Sequence, residues 1–244
     1  MLSCVVLCVF GASSLGASPL DLAALDRLYA QRDEPQVLAQ LERQVSDQLS
    51  LAADDYALVL RGARAHCAAA KAQSASAQRQ AEALVCWRLG DRARALSPSS
   101  AEAHYWAAIG VGLWAQSVGV FRAITEGIEA KLSERLDMAL MLDPEVDHGG
   151  PWLFKGRYFQ EAPWPIRDMK RAGEYFGKAL SRFPESQRAH LYYAGWLADQ
   201  GQPQKAQREL EAVLASDGAY DPPDARAAKA EAAKRLSALR ESTR

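Results

Sequence analysis

The chain has 244 residues, 49% of them hydrophobic and 24% charged. That is enough for a substantial core in one large domain or two small ones, and the wrong balance for a disordered chain or a multispanning membrane protein. Lys and Arg number 29 against 30 Asp and Glu, a formal charge of -1, so no global positive field marks nucleic acid as a partner.

Residues 1–17 carry no charged side chain, run apolar through Val5, Val6, Leu7, Val9 and Phe10, and end in small residues up to Ala17. They predict a secretory signal peptide cut near Ala17, and with it export; the alternative is an ordinary buried helix. A lipid anchor on Cys4 or Cys8 would require a start further upstream.

Beyond this segment apolar residues recur at three- and four-residue spacing, and alternating β-branched runs do not occur, so the chain reads as all-α. Helices are predicted over 20–31, 35–49, 54–72, 78–96, 101–118, 120–142, 151–161, 168–182, 187–200, 203–216 and 223–241. They group into N-terminal helical hairpins (18–100), a core of helix pairs (101–216) and a C-terminal capping helix (217–244).

Cys67 and Cys86 lie on two Ala-rich segments on either side of the turn-like run Gln73 to Ala77. In an antiparallel pair folded about that run the two thiols come out opposite each other. They either form a disulfide in an oxidising compartment or remain two small core residues. A zinc site of the CxxC type is excluded by count, with two cysteines left after cleavage.

From Ala103 to Phe121, 19 residues pass without Asp, Glu, Lys or Arg. That length would permit a membrane span, but His104, Gln116, Ser117 and three glycines (Gly110, Gly112, Gly119) favour a central helix buried on all sides. Trp106 and Trp114, on this helix, are candidates to wall an internal ligand cavity. Asp143, Glu145 and Asp147 alternate like the start of a calcium loop, but His148 and Phe154 stand where Gly and Glu are required, so a solvated turn is expected. His66, His104, His148 and His190, spaced 38, 44 and 42 apart, fall at different places in their units and are not expected to converge on a metal.

Ala95-Leu96, Ala139-Leu140 and Ala179-Leu180 each end a helix shortly before a proline, at steps of 44 and 40 residues, a period that belongs to stacked helix pairs. In the last pairs the spacing is that of a tetratricopeptide (TPR) repeat: Ala206 opens a second helix, Gly201 marks the turn, Ala194 the close approach and Leu197 a core filler. Ala172, Phe176, Ala179 and Pro184 take the second-helix positions of the preceding unit, where Ala162-Pro163-Trp164-Pro165 replaces the simple turn. The expected fold is a TPR-like helical-hairpin solenoid, in which stacking buries what no single pair can. Its first helices should line a concave groove with Phe154, Arg157, Arg188 and Leu191, with Trp164 packed over it and Tyr193 and Leu197 in the core. Apolar surface with guanidinium groups suits an extended peptide, a partner helix or a carboxylate ligand. The alternative is that Arg157 and Arg188 pair with Glu161 and Glu185 on a solvated face. The final helix alternates Ala with Lys, Arg and Glu and reads as a solvated cap.

Gly149-Gly150-Pro151, Gly156-Arg157-Tyr158, Pro163, Lys170-Arg171-Ala172 and Tyr175-Phe176 leading into Ala179-Leu180 resemble the T-component family of tripartite ATP-independent periplasmic (TRAP) transporters. The likeness covers residues 101–216. It implies a TPR-like periplasmic protein that docks the extracytoplasmic solute receptor of an uptake system and holds a small hydrophobic or carboxylate ligand, with homo-oligomers compatible. A generic exported TPR scaffold for envelope protein assembly is the alternative.

No phosphate loop, HExxH or dinucleotide fingerprint occurs, and the nearest nucleophile elbow, Gly11 to Leu15, ends in Leu inside the leader. A non-enzymatic protein without cofactor is expected; an enzyme would have to assemble its site from scattered groups.

Overall fold

The computed structural model describes residues 20–242; the predicted leader, with Cys4 and Cys8, lies outside them. Twelve helices and no strand occur among the described residues. The first four are α1 (Leu22–Tyr29), α2 (Pro35–Leu51), α3 (Tyr56–Ala72) and α4 (Ser76–Leu96). Then come α5 (Ala101–Val118), α6 (Val120–Thr125), α7 (Ile128–Leu142) and α8 (Val146–Glu161). The last four are α9 (Met169–Arg182), α10 (Gln187–Asp199), α11 (Pro203–Ala215) and α12 (Pro222–Ser242). Most pack chiefly on a neighbour in sequence, with α7 on α5 the exception, which makes the molecule a TPR-like solenoid of helical hairpins.

Local chemistry sets the helix starts. Asp21, Asp55, Ser100, Asp168 and Ser186 each accept a backbone N–H of the first turn, and Pro35 and Pro203 take first-turn positions where a missing N–H costs nothing. A Pro-x-Ser-x-x-Ala-His run occurs twice. Ser100 and Ser186 cap α5 and α10, while Nε2 of His104 donates to the Pro98 carbonyl (2.9 Å) and Nε2 of His190 to that of Pro184 (2.8 Å). These two histidines lock helix starts.

At the centre, α5 is buried nearly all round, against α4 on one side and α7 on the other. Glycine permits that approach: a Cβ on Gly90 would stand 2.6 Å from the Ala107 Cα, and one on Gly110 2.6 Å from the Trp87 Cα. No described helix is long and apolar enough to cross a membrane. Cys67 and Cys86 are bonded, with Cα atoms 5.1 Å apart, and join α3 to α4.

Two features depart from the sequence expectations, and a third was not foreseen. The helix predicted over 120–142 is two, α6 and α7, because Gly127 adopts φ 62, a left-handed angle that ends one helix and starts the next. The final helix is more than a solvated cap: Ala228, Ala232 and Leu236 are buried against α10 and α11, and the adjacent face, with Asp224, Ala227, Glu231 and Arg235, lines the concave surface. The turn after α1 also meets the start of α12. Arg32, in the turn after α1, donates to Asp221 (2.6 Å) and Asp224 (2.9 Å) at the start of α12, and Arg226 pairs with Asp33.

Candidate functional site

A cavity of about 590 Å³ occupies the concave side, walled by α5, α8, α10 and α12 and closed by the end of α3 and the start of α4. The groove face of α5 is the stripe Tyr105, Ile109, Gly112, Leu113 and Gln116, spaced as one side of a helix requires. Facing it stand Phe154 of α8 and Leu191 and Tyr192 of α10. Gly112 makes room for the Phe154 ring, which lies 2.7 Å from where a Cβ would be.

Five cations reach this cavity: Lys71, Arg79, Arg157, Arg188 and Arg235. Three are already paired, Arg157 with Glu161 (2.6 Å), Arg188 with Asp147 (2.8 Å) and Arg235 with Glu231 (2.7 Å). Lys71 and Arg79 have no carboxylate partner among the described residues; Arg79 donates only to the Gln73 carbonyl. The groove therefore combines an apolar stripe with two cations free to pair with an incoming carboxylate.

The end wall is built on a short left-handed turn. Asp147, His148 and Gly149 have φ of 52, 53 and 75, angles that cost a non-glycine residue about 1–2 kcal/mol each. The surroundings hold the turn in place. The Asp147 carboxylate accepts from the Tyr105 hydroxyl (2.9 Å) and from Arg188 (2.8 Å), which also donates to the Asp147 carbonyl. His148 stacks between Phe183 and Tyr220. Gly150 lies against the Tyr105 ring with no room for a Cβ, and Pro151 opens the regular part of α8. Burial pushes the Asp147 carboxyl up, but the Arg188 guanidinium and the Tyr105 hydroxyl outweigh it and hold the group below the usual carboxylate range. Burial, with Asp147 beside it, raises the Tyr105 hydroxyl well above its ordinary value.

Of the residues proposed from sequence, Phe154, Arg157, Arg188 and Leu191 line the cavity. Arg157 pairs with Glu161 and lies over the Tyr192 ring; Arg188 pairs with Asp147 instead of Glu185. Leu197 is buried, and Tyr193 is half-buried against Trp196. Trp106 and Trp114 do not wall the cavity. Each is 5% exposed or less in the helix-to-helix core, Trp106 among Val59, Cys67 and Cys86, and Trp114 against Trp87. Both sit about 100° round α5 from the nearest groove residue in sequence, Tyr105 or Leu113. Trp164 is 89% exposed and does not cover the groove. The Pro163 carbonyl accepts from Ile166 and Arg167, and the Phe159 carbonyl accepts from Asp168, closing a turn that carries the indole outward. Of the acids that suggested a calcium loop, Asp147 binds Arg188 and Glu145 binds Arg182.

Lys71, Arg79, Tyr105 and the α12 face were not singled out from sequence. The i, i+4, i+7, i+8 stripe on α5 could have marked Tyr105 and Leu113; Lys71 and Arg79 enter only through the packing of three helix pairs.

Residues 167–233 match a tetratricopeptide repeat model. Two solved structures described as MamA protein are similar at 12% identity. One covers 79% of this chain and 90% of its own at a TM-score of 0.47, the other 84% and 95% at 0.46. No curated protein matches the chain. Residues 21–162, more than half of the chain and including the N-terminal hairpins, match the model described as regulator of microtubule dynamics protein 1-3. With α1 to α8 inside that match and a tetratricopeptide repeat completing the groove, the chain belongs to the regulator of microtubule dynamics protein 1-3 family.

Proposed function

We propose that the protein is a non-enzymatic scaffold that holds a carboxylate-bearing segment of a partner protein in its concave groove. The observation that carries this is the apolar stripe of Ile109, Leu113, Phe154 and Leu191 beside Lys71 and Arg79, two cations without a carboxylate ion-pair partner among the described residues. An extended or helical segment would bury apolar side chains on the stripe and set an Asp, a Glu or its own C-terminus between the cations. A photo-reactive amino acid in place of Leu113 is expected to cross-link the partner, and Lys71→Glu with Arg79→Glu to weaken binding at least about tenfold. Cross-linking from exposed Leu214 on α11, with none from position 113, would overturn the reading. The family's name points to microtubules as a partner, which co-sedimentation tests for this chain.

A finer form places the protein outside the cytosol as a TRAP T-component that docks a solute receptor. Two features support it: the Cys67–Cys86 bond suits an oxidising compartment, and the turn at Gly149-Gly150-Pro151 shapes the groove wall. Native pull-down from periplasm should then recover an extracytoplasmic solute receptor. Recovery of envelope assembly factors in its place would favour the generic exported scaffold.

A further inference from the structure

We propose that Glu42, His66 and Glu82 form a binding site for one divalent transition-metal cation, separate from the groove. Glu42 stands on α2, His66 on α3 and Glu82 on α4, and one ligand atom from each lies within 4.8 Å of the other two. Nδ1 of His66 is 2.7 Å from a Glu82 oxygen. One imidazole with two carboxylates is a donor set suited to zinc and its neighbours, and three protein ligands leave a coordination position for water. None of the three residues lines the groove.

Two contrasts within the molecule separate this cluster from ordinary ion pairing. Among the described residues neither Glu42 nor Glu82 has a lysine or arginine partner, whereas Asp91, Asp147 and Asp221 each bind an arginine. The second contrast is with the other histidines. His104 and His190 spend Nε2 on a proline carbonyl at a helix start; His66 sits mid-helix and makes no such bond. His190 does meet an acid, Glu209, at 2.6 Å, but among the described residues no third ligand joins that pair.

The Cys67–Cys86 bond adds preorganisation. Cys67 follows His66 directly, and Cys86 lies one helical turn after Glu82, so the covalent link fixes the spacing of α3 and α4 where they offer their ligands. A cation bound there neutralises the paired acids and ties α2 to the α3–α4 hairpin, so metal binding and stability are linked.

The test is a zinc titration of the full, oxidised chain, freed of metal with a chelator and followed by calorimetry. One equivalent should bind with micromolar affinity, Glu42→Gln and His66→Ala should each weaken it at least about tenfold, and His190→Ala should leave it unchanged. Zinc should also raise the melting temperature of the wild type but not of Glu42→Gln, a near-isosteric change on a part-buried side chain that keeps the comparison usable if His66→Ala folds poorly. Absence of saturable binding below about 100 μM zinc, or wild-type affinity in Glu42→Gln, would overturn the assignment.

Discussion

Asp147 sits in a left-handed turn with Arg188, Tyr105 and Tyr220 around its carboxylate, and through these partners it joins α8, α5, α10 and the segment before α12. Its carboxyl is held below the ordinary range, so it adds stability that is present above its unfolded pKa of about 4 and lost as pH falls through the lower folded value. Thermal melts between pH 6 and pH 2 should show the wild-type melting temperature dropping on the acid side. Asp147→Asn should start lower, because Arg188 loses its main counter-charge, and then fall less steeply; equal slopes would show that the carboxylate does not govern acid stability. The loss at neutral pH should stay somewhat below the about 3–5 kcal/mol of a broken buried pair, since Asp224 stands 3.6 Å from Arg188. In sequence, Asp147 reads as one of three alternating acids in a polar turn. Its partner lies 41 residues away, and neither spacing nor residue type names it.

Among the helices, existence and order are legible from sequence because the signals are local. Periodic apolar positions, Ser and Asp caps and prolines act within a turn or two of the residue concerned, and eleven predicted segments correspond to the observed helices once 120–142 is divided at Gly127. Local signals fail where a residue answers to a distant neighbour. The run 147–149 turns left-handed because Asp147 and His148 are held by α5, α10 and Tyr220, and Trp164 faces out because the insertion closes on itself. The α3–α4 hairpin illustrates the reverse, a pair of positions related by the turn between them. Its disulfide closes a loop with a sequence separation of 19, worth about 2–4 kcal/mol. Urea melts with and without reductant should differ by that amount, and Cys67→Ser with Cys86→Ser should match the reduced wild type. Reductant-insensitive melts would show that the bond contributes nothing to stability.

At the level of the solenoid, the first and last helical segments are fastened together by Arg32 with Asp221 and Asp224, and by Arg226 with Asp33. The Arg32 side chain is 9% exposed, so this contact is shielded from salt more than a surface pair is. Since Asp224, Ala227, Glu231 and Arg235 of α12 also wall the groove, the fastening helps set its width. Arg32→Ala with Arg226→Ala should loosen it: small-angle scattering should show a larger radius of gyration while circular dichroism keeps the same helix content. An unchanged radius would mean that stacking alone sets the curvature. Helix periods, caps and the Ala-Leu echoes determine that this chain forms stacked helical pairs, because each depends on residues within one or two turns or one repeat step. The groove's content, with Lys71 and Arg79 beside Phe154 and Leu191, the Asp147 turn and the Glu42–His66–Glu82 cluster, arises only when helices far apart in sequence are brought together. The angle at which successive pairs stack is set by the sum of many small side-chain contacts, and no local pattern encodes that sum.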